Sequence, residues 1–288
     1  LEALIRAGAF DSLNEARWVL MSALEDAIGQ ADQEARNEAV GIDDMFGLGG
    51  GAEATVSADP YQHHRSVTRW SERDVLRGEK ETLGLYLTGH PIDWYADDLK
   101  GLGAKALENL ERSKDAVRVA GLIVGLRVIR NKRGDSFGIV TLDDRTARMD
   151  VTVFADLFAD CREKLVDDSL VVIEGDVSFD EFTNGLKMRA NKVETLENAR
   201  NESASGLKIH LNTQAPEFAE TLLSKIQPHL GGECPIVIAY NGEDASGEVV
   251  LGEHYQVHPN DTLLLELQEL LGQDRVQLEF SARTRQRA

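Results

Sequence analysis

The sequence predicts an α+β chain of several domains, and three observations carry that expectation. Apolar residues recur at threes and fours from Leu4 to Ile28 and again from Trp70 to Leu87, the spacing of a helix with one apolar face. Between Val117 and Leu196 the period shortens to two, in runs separated by turn residues. From Leu207 to Phe280 the two periods interleave as strand, helix, strand, strand, helix, strand. At 288 residues and 42% hydrophobic content the chain can bury several cores, and a prior of roughly 100 to 200 residues per domain suggests two or three.

Residues 1–40 are expected to be helical. Leu4, Ile5, Ala9 and Phe10 precede Trp18, Leu20, Met21, Leu24 and Ile28. Gly8 and Asp11-Ser12 interrupt the pattern, with Asp11 or Ser12 as the cap of the second helix. Residues 41–67 read as a flexible linker, since Gly47, Gly49, Gly50 and Gly51 lead into Ser, Thr, Asp and Pro60. Inside it Met45 and Phe46 form an apolar pair beside Ile42, Asp43 and Asp44. In a segment too polar to fold alone, such a pair is suited to filling a partner's pocket. Residues 68–115 return to helical spacing, as a brace for the next domain. There an apolar helix is expected to stop at Gly89, with Pro91 forbidding its continuation because Pro lacks the amide hydrogen.

Residues 116–198 carry five strand signals: Val117 to Ile129, Phe137 to Leu142, Met149 to Phe154, Leu170 to Val177 and Leu186 to Val193. A helical stretch, Leu157 to Leu165, separates the third from the fourth, and Thr183-Asn184-Gly185 turns the fourth into the fifth. Five strands with a helix after the third is the order of the OB-fold barrel. Single-stranded nucleic acid lies across strands two and three of such barrels, gripped by the loops joining strands one to two and four to five. Arg127, Arg130, Lys132 and Arg133 surround the first of those loops, and Lys187 and Arg189 flank the second. If Val140, Leu142, Met149, Val151 and Val153 face the core, Phe137, Arg148 and Phe154 share the open face. Acidic residues nevertheless outnumber basic ones across the domain, and the whole chain carries a net charge of -19. Broad adhesion to nucleic acid is therefore excluded, because it requires a basic surface to displace counterions. Any contact must be local.

Residues 199–282 form the terminal unit, with strands at Leu207 to Leu211, Ile236 to Tyr240, Glu248 to Val257 and Val276 to Phe280 and helices at Pro216 to Leu230 and Asp261 to Leu271. This βαββαβ order suggests a split βαβ arrangement. The second helix, with Leu263, Leu264, Leu265, Leu267, Leu270 and Leu271, holds more apolar surface than one face requires and could dock a partner. Residues 283–288 are a polar tail.

Catalytic constellations are scarce. His63 and His64 lack an acidic or Cys partner at useful spacing, and His90 is placed at a helix C-terminus, where a cation is favoured. The carboxylate pairs Asp43-Asp44, Asp97-Asp98, Asp143-Asp144 and Asp167-Asp168 suit caps and turns; Asp143-Asp144 could in principle hold Mg²⁺, but a turn is the expected role. Cys161 and Cys234 stand far apart without metal-ligand spacing and are expected to be buried as small hydrophobes. Neither a phosphate-binding loop nor a nucleophile elbow occurs in the sequence. No apolar run approaches the roughly 18 residues of a membrane span, so no membrane partner and a cytoplasmic location are expected. The start at Leu1, inside a helical pattern, suggests part of a longer chain.

The order of these segments, with Leu83-Gly-Leu-Tyr-Leu-Thr-Gly-His-Pro-Ile92, Gly175-Asp-Val-Ser-Phe-Asp180 and Gly185-Leu-Lys-Met188, resembles the carboxy-terminal region of the bacterial DNA polymerase III alpha subunits, the replicative C-family polymerases. The resemblance covers residues 1 to about 280. It implies that residues 1–40 end a helix-hairpin-helix region, and that Ile42-Asp43-Asp44-Met45-Phe46 is a sliding-clamp-binding pentapeptide, with Ile42 where the usual pattern has Gln. It also implies that the barrel guides single-stranded template DNA and that the terminal unit binds the tau subunit of the clamp loader. Nucleotide addition in such polymerases uses Mg²⁺ held by aspartates of a distant palm domain; no cofactor is expected in this stretch, which by itself should be inactive. Arg118-Val-Ala-Gly121 and Leu142-Asp-Asp-Arg145 also look like the anticodon-binding OB domain of class II aminoacyl-tRNA synthetases. A stand-alone OB module for tRNA or single-stranded DNA is the alternative reading.

Overall fold

The computed structural model describes residues 1–39, 59–130, 134–181, 185–212, 218–242 and 246–281. Two compact units divide the chain, Leu1–Asp93 and Trp94–Ala288.

In the first unit α1 (Glu2–Arg6), α2 (Arg17–Ala39) and α3 (Glu72–Leu83) bury Ile5, Val19, Leu20, Ala23 and Leu76. The expected cap at Asp11 or Ser12 is not used: Asp11–Leu13 is a separate 3-10 turn, and α2 starts six residues after Asp11, at Arg17. The Asp11 carboxylate instead accepts from Arg17 Nε at 2.8 Å and Nη2 at 2.6 Å. A charged partner outcompetes the local amide groups, since charge-assisted hydrogen bonds are about twice as strong as neutral ones. Gly8, at φ +81, gives these groups room; a Cβ there would lie 2.1 Å from Arg17 Nη2.

Helix α3 opens on a capping box in which Ser71 Oγ accepts from the Asp74 amide and Asp74 accepts from the Ser71 amide. It ends at Gly84, whose left-handed φ of +75 closes the last turn, and not at Gly89. Pro91 does not stop this helix but opens the next 3-10 turn, Pro91–Tyr95, where its missing amide costs nothing. His90 accordingly is not at a helix C-terminus. It is buried, and its Nδ1 lies 3.3 Å from the Ile92 amide, which donates to it.

Fully buried Glu79 anchors the stretch between α3 and Pro91. One carboxylate oxygen accepts from Arg17 Nη1 at 3.0 Å, and the other from the amides of Leu87 at 2.7 Å and Thr88 at 3.0 Å. Burial alone would raise the Glu79 carboxyl, but the Thr88 and Leu87 amides and the Arg17 guanidinium hold it below its ordinary value.

In the second unit α4 (Ala96–Gly101) precedes a closed five-stranded barrel of β1 (Ser113–Arg130), β2 (Ser136–Asp143), β3 (Arg148–Val153), β4 (Leu170–Asp180) and β5 (Gly185–Thr195), ordered β1-β2-β3-β5-β4. α5 (Ala155–Cys161) lies between β3 and β4, as expected of the OB fold. β3 and β5 pair in parallel, Val151 with Met188, and every other contact is antiparallel. Val140, Leu142, Val151 and Val153 are completely buried, Met149 nearly so, which confirms the inward register. Gly175 sits at a bulge where β4 crosses close to β5; a Cβ there would lie 2.0 Å from the Arg189 carbonyl oxygen. Cys161 joins this core.

α6 (Leu196–Ser203), capped by Thr195 Oγ1 accepting from the Asn198 amide at 3.2 Å, leads directly out of β5. The terminal sheet follows: β6 (Ala204–Leu211), α7 (Phe218–Ile226), a short β7 (Leu230–Cys234), β8 (Ile236–Asn241), β9 (Ser246–Val250), α8 (Asp261–Leu271) and β10 (Val276–Phe280). Its strand order, β10-β6-β8-β9, differs from a split βαβ arrangement. β8 lies beside β6, paired in parallel from Leu207–Ile236 to Leu211–Tyr240, and β9 takes the edge. The side chains explain the choice. Ile236 is wholly buried, as a central strand requires, whereas all five residues of β9 are exposed. Leu263, Leu264 and Leu267 of α8 pack into this core, while Leu265 is exposed. Cys234 is buried in the same core, which pushes its thiol up to about 11.

A second apolar cluster lies outside the barrel, formed by Leu102, Ala120, Val172, Leu196 and Ala199 with Tyr95, Leu99 and Phe280. At its edge Arg200, 2% exposed, donates to Asp98 of α4 and to Asp261 of α8, and its guanidinium lies 5.3 Å from the Tyr95 ring centre. Tyr95 Oη donates to the same Asp261 at 2.7 Å. α4, α6 and α8 therefore converge on one buried cation.

Candidate nucleic-acid interface

Strand pairing fixes an outward row across the barrel wall. Arg127 of β1 pairs with Ile139 of β2, Ile139 with Thr152 of β3, Thr152 with Arg189 of β5, and Arg189 with Asp176 of β4. Beside it, Ile129 pairs with Phe137, and the Phe137 and Phe154 rings lie 6.2 Å apart at 30°. Phe154 is 53% exposed and Ile129 39%. The open face predicted from alternation is thus present, with Phe137, Arg148 and Phe154 on it. Exposed Phe154 beside half-buried Phe137 offers a stacking platform worth roughly 1–3 kcal/mol per base.

The cations do not stand alone on this face. Arg127 Nη2 donates to Asp150 Oδ2 at 2.8 Å, Arg148 Nε to Asp143 Oδ2 at 2.7 Å, Lys187 Nζ to Asp180 Oδ1 at 3.4 Å, and Arg189 Nη2 lies 3.1 Å from Asp176 Oδ2. Arg130 is exposed at the end of β1. Lys132 and Arg133 fall outside the described residues, as does the whole pentapeptide Ile42, Asp43, Asp44, Met45 and Phe46.

Sequence reasoning missed these four carboxylates as partners of the cations, although a signal was available for the strand positions of Asp143, Asp150 and Asp176. Counting outward from the turn signal that Thr183-Asn184-Gly185 gives in the sequence places Asp180 opposite Gly185 and therefore Asp176 opposite Arg189. The same counting from the turn after Asp143 places Asp143 opposite Arg148 and Thr141 opposite Asp150. Asp143 and Asp144 do serve the turn. Asp144 is buried, and its carboxylate accepts from the amides of Leu107, Thr146 and Ala147 and from the Thr146 hydroxyl. Asp143 accepts from the Arg145 amide at 2.8 Å. Among the described residues no three His, Cys, Asp or Glu side chains gather to hold a metal ion, and no helix is long and apolar enough to cross a membrane.

Comparison with known proteins settles the kinship. The chain is 41% identical over 97% of its length to the DNA polymerase III subunit alpha of Pseudomonas aeruginosa, 40% identical over 97% to that of Escherichia coli K12, and 41% identical over 98% to that of Vibrio cholerae. It spans about a quarter of those relatives' length, at their carboxy-terminal end. The chain belongs to the DNA polymerase III alpha family. Residues 221–272 match the model described as DNA polymerase III subunit alpha, C-terminal domain, and residues 117–196 match that of an OB-fold nucleic acid binding domain. The second match coincides with the barrel, and the first runs from within α7 through β7, β8 and β9 to the end of α8. In this alpha-family chain the OB barrel is therefore a nucleic-acid-binding fold placed before the family's terminal domain. Among solved structures, the second OB-fold domain of replication protein A from Methanococcus maripaludis overlays 32% of this chain and 93% of its own, at 15% identity and a TM-score of 0.26.

Proposed function

We propose that this chain tethers a replicative DNA polymerase to its template and its accessory proteins. The observation that carries this reading is the open barrel face, where the Phe137 and Phe154 rings lie 6.2 Å apart at one end of the β2–β3 hairpin, the outward row from Arg127 to Arg189 runs beside them, and Arg148 lies on the same face at the hairpin's other end. Bases of single-stranded template stack on the rings, and phosphates exchange with the arginines' present partners. Arg130, Lys132, Arg133 and Lys187 extend the cationic border through the two flanking loops. Anisotropy of a labelled oligothymidylate with the whole chain at low salt tests this. Binding that weakens as salt rises is expected, and no binding at high micromolar protein rejects the interface.

On the same reading Ile42 to Phe46 binds the sliding clamp through Met45 and Phe46, and the terminal domain, with Leu265 exposed on α8, binds the clamp-loader tau subunit. The helices of residues 1–40 end a helix-hairpin-helix region. Nucleotide addition, with its Mg²⁺, belongs to other parts of a polymerase about four times as long, so this stretch needs no cofactor, is inactive alone and works in the cytoplasm. Several weak contacts on one chain raise effective concentration and lengthen residence on DNA. The family resemblance supports this assignment of partners. Immobilised sliding clamp should retain the wild-type chain and lose it on joint substitution Met45→Ala and Phe46→Ala; equal retention of both proteins rejects the motif.

The match of residues 117–196 to a general OB-fold model favours one second reading, a stand-alone nucleic-acid module for tRNA or single-stranded DNA. Nucleic-acid binding without any clamp binding would select it.

A further inference from the structure

Three arginines of the barrel face share one arrangement. Asp150 gives one oxygen to the Thr141 hydroxyl at 2.6 Å and the other to Arg127 at 2.8 Å. Asp176 gives one oxygen to the Asn191 amide at 3.3 Å and the other to Arg189 at 3.1 Å. Asp143 gives one oxygen to the Arg145 backbone amide at 2.8 Å and the other to Arg148 at 2.7 Å. In each case a neutral donor from the barrel pins the carboxylate, and the carboxylate in turn holds a guanidinium that stays largely in solvent, with side-chain exposures of 66%, 60% and 70% for Arg127, Arg189 and Arg148. A pinned carboxylate has already lost its rotational freedom, so it competes for the arginine at little further entropic cost.

We propose that Asp150 and Asp176 set the affinity of this face, holding Arg127 and Arg189 against phosphate so that nucleic acid binds weakly and releases readily. The inference rests on the reading of the face as a single-strand interface. A phosphate must displace a carboxylate to reach either arginine, and the displaced carboxylate then stands beside it and repels it. Each arginine therefore contributes less to binding than an unpartnered surface cation, and the affinity of the face cannot be read from its number of arginines.

The test uses the whole chain and a fluorescein-labelled oligothymidylate, with Asp150→Asn, Asp176→Asn and the double variant. Asn keeps an acceptor for the Thr141 hydroxyl and for the Asn191 amide, so the pinning contacts survive while the charge is lost. Thermal unfolding confirms that each variant is folded. Each single substitution should tighten binding about 3-fold and the pair about 10-fold, in line with the strength of exposed ion pairs. The slope of log Kd against log salt should steepen by about 0.7 per freed arginine. Adding Arg127→Ala to Asp150→Asn should abolish the gain, and Asp160→Asn, on α5 and away from these pairs, should give none. Wild-type binding left unchanged by the Asn variants, or a gain equal to that from Asp160→Asn, overturns the inference and leaves the interface standing. Absence of binding by every protein, variants included, overturns the interface itself.

Discussion

Arg17 and Glu79, 62 positions apart, meet at 3.0 Å in the interior of the amino-terminal unit, and the free oxygen of Glu79 holds the backbone of Leu87 and Thr88. One carboxylate thus joins the start of α2, the middle of α3 and the approach to His90-Pro91. Replacing Glu79 by Ala leaves the buried Arg17 guanidinium with Asp11 and the Arg6 carbonyl as its remaining acceptors and removes the acceptor of the Leu87 and Thr88 amides, and should cost about 2–4 kcal/mol. Urea unfolding followed by Trp18 fluorescence in a Trp70→Phe, Trp94→Phe background would measure it, and a midpoint unchanged on Glu79→Ala would contradict the role given to this pair.

The same carboxylate makes this unit sensitive to acid. The folded-state values of Glu79 and Asp11 both lie below their ordinary ones, Asp11 chiefly through its hydrogen bond to Arg17. A depressed carboxylate stabilises the fold fully above its unfolded value, near 4.5 for Glu79 and 3.8 for Asp11, and loses that contribution as pH falls through the folded one. Melting temperature followed by Trp18 in the same Trp70→Phe, Trp94→Phe background should therefore decline below about pH 4.5, and Glu79→Gln should flatten the decline. Equal slopes for the two proteins would count against this assignment.

Phe154 separates binding from stability. With 53% of its surface exposed, Phe154→Ala should change unfolding free energy by less than about 1 kcal/mol and weaken oligothymidylate binding by about 1–3 kcal/mol. The comparison needs only anisotropy and a thermal melt on one preparation. A large loss of stability with unchanged affinity would reassign the ring to packing.

Arg200→Met removes the cation between Asp98 and Asp261 and leaves two carboxylates facing each other, at an expected cost of about 3–5 kcal/mol. Limited proteolysis should then cut between β5 and β6 at protease levels that the wild type resists. Identical digestion patterns would show that the apolar cluster around Leu196 suffices.

The barrel was readable from sequence because its signals are local. Alternation put Val140, Leu142 and Val151 inside and Phe137 and Phe154 outside without knowledge of any partner strand. The terminal sheet was readable as an order of elements. The more apolar Ile236-Val-Ile of β8, against Ser246-Gly-Glu of β9, favours β8 as the central strand, but sequence reasoning took only the order of elements and not this contrast. Gly84 lost to Gly89 as the expected helix end because both are glycines near apolar residues, and the difference lies in the buried Glu79, whose two amide contacts draw the chain back over α3. The same limit hid the arginine partners. Arg127 and Asp150 belong to different strands, and their meeting is a matter of register, visible only once two hairpins are counted outward together.

Arg200 sits where a hinge would otherwise be. α4, α6 and α8 meet at one guanidinium and Phe280 of the last strand packs against Gly101 and the cluster outside the barrel, so the passage from barrel to terminal sheet is covered by side chains of both. The terminal sheet and the barrel wall thereby share one set of anchoring contacts.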